Sequence, residues 1–517
     1  MSDAVPPRRE TGPGAESPGS APSGVTAAPP PVPLTSADGP GRSDRGRDRS
    51  SGGQDRASGG QDRAEALLAS LAPPLLDWLP RQRWFAGKGS PVTGLAPVTA
   101  VDLLPLGPPG GAPGLLHLLV RARQPGTGSD DCYQLLLGVR HVLPPRLAPA
   151  LVGRPDGGPL RGLAVYEALA DPRLAGLLLE RLRMPGRLGP LRFAREPHTD
   201  LPAGLVPRLL GVEQSNSSVV YGDSYILKLF RRVGPGVNPD LELPRALART
   251  GCARVPAPAA WFEAEPPGAT EPMTLGVLQP FLAGSADGWR LALDALAAGD
   301  GFTSAARALG QATAEVHRAL AAALPTVDLD PPRLERIAAA MRRRLDTTAE
   351  AVPALRPYRD ALRAAYDELT RPPAPGRPRR AQRIHGDLHL GQALRTAADG
   401  RWSLIDFEGE PARPLAERRR PQPVEQDVAG MLRSFDYAAA VGRAGTDWAP
   451  RAREAYCDGY AAAHRDPRED GPLLVAQETD KAVYEVLYEA RHRPDWLPVP
   501  LSAIRRLAER ADGVRRP

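Results

Sequence analysis

The segment 384–408, IHGDLHLGQALRTAADGRWSLIDFE, constrains the fold of this chain more than any other stretch. Asp387 stands in a short polar loop, Gln392 follows five residues later, and Asp406 follows the apolar run WSLI. A kinase-like phosphoryl-transfer site needs one carboxylate to take the proton of the attacking hydroxyl, and an amide and a second carboxylate to hold Mg²⁺. Protein kinases have Asn and Asp-Phe-Gly at the last two positions, whereas this chain has Gln and Asp-Phe-Glu. The segment therefore predicts a kinase of small molecules, with Asp387 as the base and Gln392 and Asp406 as metal ligands.

Composition excludes several other classes of protein. The net charge of +6 comes almost entirely from arginine, because the chain has only three lysines, Lys88, Lys228 and Lys481. No basic stripe is interleaved with aromatic residues, so we expect no nucleic-acid partner. The three cysteines are widely spaced and form no CxxC pair, which fits a reducing compartment and argues against a cysteine zinc site. No apolar run approaches about 18 residues and no apolar leader is present, so we expect a cytoplasmic protein without a membrane partner.

Changes in composition along the chain predict its organisation. Residues 1–64 are rich in Pro, Gly, Ser and Ala, with too little apolar surface to offset chain entropy, and are expected to be disordered. Residues 65 to about 200 read as an N-terminal module of strands closed by a helix-like stretch at 161–182, and residues 205–281 read as an intermediate module, mainly of strands, that completes a nucleotide-binding lobe. From 283 to 517 the pattern is helical. The expected fold class is α+β, with the two lobes of a protein kinase.

The intermediate module carries the predicted nucleotide site. A turn rich in small polar residues can bring N–H groups and hydroxyls against phosphate oxygens. The residues predicted to do so are Gln214, Ser215, Asn216 and Ser217. Lys228 follows in the apolar strand YILKLF, where its charge is costly without a partner. We expect that partner to be the nucleotide phosphates, with Glu242 bracing the amine and Gln279 at the hinge beside the adenine.

Two other functions remain open on the residues alone. The spacing His385-x-Asp387-x-His389 clusters three potential metal ligands, as in metal-dependent hydrolases. A hydrolase function would leave unexplained why the apolar strand YILKLF carries Lys228. A catalytically inactive kinase fold acting as a binding module is the other alternative, and it would be expected to lack the lysine, the base or the metal carboxylate, all of which this chain retains.

Longer motifs carry a family resemblance that covers the chain from about residue 66 to its end. The stretches RQRWFAGKG at 81–89, GVEQSNSSVVYGDSYILKLF from 211, LIDFEGEPARPLAERRRP in 404–421, and VYEVLYEARHRPDWLPVPL at 483–501 resemble the actinobacterial maltokinases, within the aminoglycoside-phosphotransferase-like kinases. The resemblance implies an N-terminal cap subdomain at 65–155, an intermediate subdomain at 156–282 that completes the nucleotide-binding lobe, and a helical lobe at 283–517. It also implies ATP-dependent phosphorylation of maltose at its anomeric hydroxyl, with Mg²⁺.

The resemblance implies a metabolic setting as well. In that family maltose 1-phosphate feeds α-glucan (glycogen) synthesis, and maltose comes from trehalose through trehalose synthase, which makes that enzyme a candidate partner of a monomeric or homodimeric kinase. Recognition of a disaccharide needs polar groups for its hydroxyls and aromatic faces for its apolar surfaces. The candidates for maltose contact are Glu408, Arg419, Arg420 and Tyr437. Another sugar or an aminoglycoside remains the alternative acceptor.

Overall fold

The computed structural model describes residues 52–125, 131–211, 215–371, 378–411 and 413–515. The chain divides into two units, Met1–Gly59 and Gly60–Pro517. Of the first unit, only the beginning of helix α1 (Gly52–Trp78) is described. All further elements belong to the second unit.

Helix α1 corrects the expectation of disorder over residues 1–64. The helix already includes residues 52–64, and the rest of that segment lies outside the described residues. Its apolar stripe begins at Ala64 and continues through Leu67, Leu68 and Leu71, all buried at helical spacing. The sequence interpretation assigned all residues up to 64 to a disordered segment and therefore missed the N-terminal turns of this helix.

The first antiparallel sheet follows α1, with strand order β1-β2-β3-β5-β4. Its strands are β1 (Gly94–Leu104), β2 (Gly114–Arg123), β3 (Asp131–Arg140), β4 (Leu151–Gly153) and β5 (Ala164–Glu167). Strands β2 and β3 are buried over most of their length because both faces of this sheet are covered. Leu116 and Leu118 pack with the α1 leucines, whereas Leu115 and Leu119 pack toward the second sheet.

Helix α2 (Pro172–Arg183) shows that the predicted helix-like stretch 161–182 is wrong in its first half. That half contains strand β5, and the helix begins only after Asp171, whose carboxylate accepts a hydrogen bond from the Arg173 N–H at 3.1 Å. Pro172 occupies the first helical position, where its missing N–H costs nothing. A capping aspartate and a proline therefore separate the two elements. The subdomain boundary predicted at residue 155 stays a prediction, and the first sheet continues beyond it through β5.

The second sheet is also antiparallel and has the order β6-β7-β12-β13-β10-β9-β8. Its strands are β6 (Gly186–Leu188), β7 (Leu191–Arg195), β8 (Pro207–Leu209), β9 (Asn216–Tyr221), β10 (Tyr225–Phe230), β12 (Ala260–Ala264) and β13 (Met273–Pro280), and the chain between β10 and β12 forms β11 (Arg232–Val233) and helix α3 (Pro239–Arg249). Of these, β11 pairs with β3 and joins the two sheets. Strand β10, which carries Lys228, lies between β9 and β13.

The C-terminal lobe is helical, with two small sheets, β14-β17-β18 and β15-β16. Its elements are β14 (Ala286–Asp287), α4 (Gly288–Ala298), α5 (Thr303–Ala323), β15 (Val327–Asp328), α6 (Pro331–Ala351), α7 (Arg359–Asp367), β16 (Arg380–Ala381), β17 (Ala393–Arg395), β18 (Trp402–Leu404), α8 (Leu415–Arg418), α9 (Glu425–Val441), α10 (Trp448–Ala461), α11 (Gly471–His492) and α12 (Pro498–Arg515). The expected α+β, two-lobed architecture is confirmed.

Helices α5 and α10 approach each other at two glycines. A Cβ added at Gly310 would lie 2.0 Å from the Tyr456 carbonyl oxygen, and one added at Gly459 would lie 1.9 Å from that of Arg307. Neither helix could keep this separation with a methyl group at the contact. The two glycines therefore set the spacing of the α5–α10 pair.

A buried charge network joins α9 to α11 beneath the site. Arg433 is 1% exposed and donates to Glu485 at 2.8 Å and to Asp436 at 2.6 Å. Arg453 from α10 and Arg506 from α12 also reach Asp436, at 3.3 and 2.9 Å. Charges this deep are tolerated only when they are paired. The network therefore joins α9, α10 and α12 to α11.

Candidate functional site

Lys228 lies at the centre of a cluster of carboxylates between the two lobes. Its ammonium donates to Asp240 at 3.0 Å and to Asp406, and lies 2.7 Å from an oxygen of Glu408. Only 11% of the lysine side chain is exposed. The buried lysine predicted from YILKLF thus faces the Asp-Phe-Glu segment, as a kinase site requires.

The brace of this lysine is Asp240, and the expectation of Glu242 is wrong. Asn238 caps α3 by accepting from the Asp240 N–H at 2.9 Å, which places Asp240 in the first turn beside Lys228. Its other carboxylate oxygen accepts from the Phe407 N–H at 2.7 Å. Glu242 points elsewhere and pairs with Arg383 at 2.7 Å. Two residues apart on a helix, these acidic side chains face different directions, and only Asp240 faces the sheet.

Gln392 and Asp406 lie together, as their predicted metal role requires. The Gln392 amide donates to Asp406 at 2.7 Å. Asp406 has a φ of 65°, a strained conformation for a residue with a side chain and one found at functional sites. Carboxylate oxygens of Asp240, Asp406 and Glu408 lie within 4.8 Å of one another. Oxygen ligands of this kind suit Mg²⁺, so the residues present fit the metal.

The two carboxylates of Asp-Phe-Glu have opposite pKa shifts. Burial alone would raise the pKa of Asp406, but the Lys228 ammonium holds it below its usual value. Burial raises the pKa of Glu408, and the neighbouring Asp406 and Asp240 add to the increase. The Lys228 ammonium thus favours the ionised form of Asp406, the form that a metal needs.

The catalytic loop is anchored by Asp427, which sequence reasoning missed. Its carboxylate accepts from the backbone N–H groups of His385 and Gly386, both at 2.8 Å, and contacts His317 Nε2 at 3.0 Å. The His317 Nδ1 atom lies 2.8 Å from the Tyr460 hydroxyl. Asp427 follows Asp387 by forty positions on helix α9, so nothing local in the sequence links the two.

Asp387, the predicted base, is paired with Lys481 of helix α11 at 3.1 Å. Burial alone would raise the pKa of Asp387, but the Lys481 ammonium holds it well below its usual value. The carboxylate raises the pKa of Lys481 in return, against the effect of burial. Lys481 was not predicted, although the scarcity of lysine in an arginine-rich chain could have identified it.

A cavity opens beside Asp387 between the catalytic loop, α6, α9 and α11. It is lined by Arg344, Gly386, Asp387, Leu388, Glu410, Arg413, Gln426, Gly430, Gln477, Asp480, Lys481 and Tyr484. The carboxylates in this lining are paired with cations: Asp387 with Lys481, Glu410 with Arg413 at 2.7 Å, and Asp480 with Arg344. Polar groups thus surround a space that adjoins the proposed base.

In the part of the chain that the structure describes, none of the four predicted maltose contacts lines this cavity, and contacts of Glu408, Arg419 and Arg420 with maltose stay predictions. Glu408 contacts Lys228, and Arg419 pairs with Glu271 at 3.2 Å. Arg420 is exposed on the surface. Tyr437 is fully buried, donates to Glu489 at 3.0 Å and stacks on Trp496. Composition could identify suitable residue types, but not which of them meet in space.

The predicted nucleotide turn is described only in part, because Gln214 lies outside the described residues. Asn216 donates to Glu408, on the face of the sheet where Lys228 lies. Ser217, at the next strand position, instead accepts from Arg231 on the opposite face. Ser215 is exposed at the start of β9, and Gln279 is half-buried near the end of β13. Contacts of Ser215 and Gln279 with a nucleotide stay predictions.

The histidines of the catalytic loop do not form the metal site of a hydrolase. His385 Nε2 lies 2.8 Å from the Ile405 carbonyl, and the ring packs on Phe407. His389 Nδ1 accepts from the Gly391 N–H at 3.1 Å, and burial lowers the pKa of His389 to about 3. Among the described residues, the acidic group with metal-ligand spacing is Asp240, Asp406 and Glu408. The hydrolase interpretation therefore lacks the histidine metal ligands on which it depended.

Comparison with known families agrees with this geometry. Residues 205–470 match the phosphotransferase enzyme family, and residues 78–171 match the maltokinase N-terminal cap domain. The chain belongs to the phosphotransferase enzyme family. Glucosamine kinases from Streptacidiphilus jiangxiensis and Mycolicibacterium smegmatis (strain ATCC 700084 / mc(2)155) are each 32% identical to it. The alignments cover 56% and 57% of this chain, and 70% and 78% of those proteins.

Solved structures show the same fold over more of the chain. A glucosamine kinase (crystal form B) superposes with a TM-score of 0.62 at 25% identity, covering 86% of this chain and 99% of that one. A glucosamine kinase in complex with glucosamine, ADP and inorganic phosphate superposes with a TM-score of 0.61 at 24% identity, covering 86% and 98%. Within the described residues, no helix has the length and apolar character needed to cross a membrane.

Proposed function

We propose that this phosphotransferase moves the γ-phosphoryl group of ATP to the anomeric hydroxyl of maltose. The maltokinase-type cap at 78–171 and the long C-terminal motif support the acceptor, and the phosphotransferase match at 205–470 supports the reaction class. Production of maltose 1-phosphate for α-glucan synthesis, and an association with trehalose synthase, rest on the family resemblance alone.

The residues divide the chemistry between the two lobes. Lys228 would hold the nucleotide phosphates, exchanging carboxylate oxygens for phosphate oxygens, with Asp240 keeping the amine in place. Gln392 and Asp406 would hold Mg²⁺, which neutralises charge on the transferring group. Asp387, kept ionised by Lys481, would orient the sugar hydroxyl toward the γ-phosphorus and accept its proton as the new P–O bond forms and the bond to ADP breaks.

One observation favours a neutral sugar as the acceptor. The carboxylates that line the cavity, Asp387, Glu410 and Asp480, each have a cationic partner, so the cavity is balanced in charge. Sugar hydroxyls can both donate to such carboxylates and accept from such guanidinium groups. An ammonium group would have to displace one of the existing cations, which leaves that cation buried and unpaired.

Glucosamine is the second candidate, because the relatives at 32% identity are glucosamine kinases. The decisive experiment measures product formation from ATP with maltose, glucose, glucosamine and an aminoglycoside at matched concentrations. We expect maltose to give the highest kcat/KM. A preference for glucosamine would refute the maltose proposal, and absence of transfer to any sugar would refute the sugar-kinase proposal.

A variant pair tests the charge argument. Arg413→Gln frees the half-buried Glu410 carboxylate for an amine, so the kcat/KM ratio of maltose to glucosamine should fall about tenfold, the value of one charge-assisted contact. Arg419→Gln removes a similar pair with Glu271 outside the cavity and is the matched control, with an unchanged ratio. An equal ratio in both variants would contradict the role given to charge balance.

A further inference from the structure

The motif RQRWFAGKG at 81–89 has no part in the site described above, yet two of its residues contact the chain that carries the predicted nucleotide site. The Arg83 guanidinium donates to the Gly211 carbonyl at 3.4 Å, where the turn begins. The Trp84 ring is buried, and its centroid lies 5.0 Å from the guanidinium carbon of Arg231. Since both residues belong to the matched cap domain at 78–171, the cap borders the nucleotide lobe at this turn.

Arg231 is the buried connection between the cap and the turn. It follows strand β10 directly and is 2% exposed. Its Nε atom donates to the Ser217 hydroxyl at 2.8 Å, and its Nη2 atom lies 3.1 Å from Glu167. Trp84 covers the guanidinium plane. The cap thus supplies a carboxylate and an aromatic face, and strand β9 supplies the third contact.

Strand alternation places this connection behind the nucleotide face. Ser218 lies opposite Lys228 across the β9–β10 ladder, and Ser217 lies opposite Leu229. Neighbouring strand residues point to opposite faces of a sheet, so Ser217 points away from Lys228. Arg231 therefore holds the outer face of β9 while phosphates approach the inner one.

We propose that Arg231 is a positioning residue for nucleotide binding, through which the cap fixes the strand that begins at the phosphate turn. A planar guanidinium held by three partners defines one orientation, which a flexible ammonium would not. With Ser217 held from behind, Asn216 and the backbone of β9 keep their place beside Lys228. This inference rests on the proposed nucleotide site and gives the cap a function independent of the sugar.

The test compares Arg231→Met with Arg140→Met by ADP titration calorimetry and ATP kinetics on the full chain. Arg140 is a close match within the cap: it donates to the Tyr166 hydroxyl at 2.9 Å and to Asp171 at 2.7 Å, beside the Tyr166 ring. Both variants should lose thermal stability. Only Arg231→Met should weaken ADP binding and raise the ATP KM, by about tenfold, with kcat and the sugar KM unchanged.

Ser217→Ala is a milder variant that leaves the contacts of the cap with Arg231 in place. It tests the role of Arg231 even if Arg231→Met does not fold. It should raise the ATP KM, and its effect should not add to that of Arg231→Met, because the two residues share one contact. Unchanged ADP affinity in Ser217→Ala, or an equal loss in Arg140→Met and Arg231→Met, would overturn the inference. Lys228→Ala serves as the reference: unchanged ADP affinity there would overturn the nucleotide site itself.

Discussion

Replacement of Lys481 by methionine should move the pH dependence of the reaction. The Lys481 ammonium lies 3.1 Å from Asp387, and the two side chains are 22% and 15% exposed. At an effective dielectric constant of about 20, unit charges at this separation attract by about 5 kcal/mol, an upper bound because solvent still reaches the pair. A cation beside a carboxylate lowers its pKa by about 1–3 units, which corresponds to about 1.4–4 kcal/mol.

The sign of the effect follows from the direction of the shift. The pKa of Asp387 is now well below its usual value, so the base is ionised across the neutral and mildly acidic range. Without Lys481, burial would be the dominant influence and would raise that pKa. The acid limb of kcat/KM, which reports the free enzyme, should then move to higher pH by about 1–3 units.

The assay measures kcat/KM for the sugar from about pH 4 to 9 at saturating ATP and Mg²⁺, so that the range extends toward the acid limb of the original protein. Lys481→Arg keeps a positive charge and should keep the acid limb near its original position. Tyr484→Phe changes the same cavity without removing a charge and is the neutral control. A folded Lys481→Met variant with an unshifted acid limb would refute the reasoning that Lys481 holds the base ionised.

Three further predictions concern the base, the brace and the network beneath them. Asp387→Asn should abolish sugar-dependent turnover while ADP affinity by calorimetry stays close to that of the original protein; substantial residual turnover would remove Asp387 from the base position. Asp240→Asn should raise the ATP KM by about tenfold, and Glu242→Gln should raise it much less, because of these two residues Asp240 is the one that contacts Lys228. Equal effects of the two substitutions would contradict the assignment of Asp240 as the brace. Arg433→Met leaves Glu485 buried without its cation and should cost about 3–5 kcal/mol in urea unfolding; a loss below about 1 kcal/mol would show that the pair is not buried in solution.

The chemistry of the site could be predicted where it is local in the sequence. Asp387, Gln392 and Asp406 stand within one short segment, and their spacing alone indicates phosphoryl transfer. Lys228 could be identified because an apolar strand seldom carries a charge without a partner. The structure brings Lys228 and Asp406 into contact, which agrees with that local interpretation.

The predictions that the structure contradicts, and the residues that were missed, depend on how elements distant in the sequence are placed relative to one another. Glu242 was expected to brace Lys228, but Asp240 stands in the same first turn of α3, and only the direction of the helix decides which of the two faces Lys228. Lys481 is contributed by α11, 94 positions after Asp387, and no spacing rule connects them. Tyr437 was chosen as an aromatic face for the sugar, but it is used to pack α9 against Trp496.

The close approach of α5 and α10 has a consequence for the tolerance of the catalytic loop. The two helices meet without side chains at Gly310 and Gly459, and the same pair holds His317 and Tyr460 in hydrogen-bond contact. His317 in turn contacts Asp427, the residue that anchors the catalytic loop. A methyl group added at either glycine would push the helices apart and lengthen the first of these contacts. Activity would then be lost through a substitution that touches neither the substrate nor the loop. The absence of a Cβ at the two glycines therefore sets the helix separation on which the position of the catalytic loop depends.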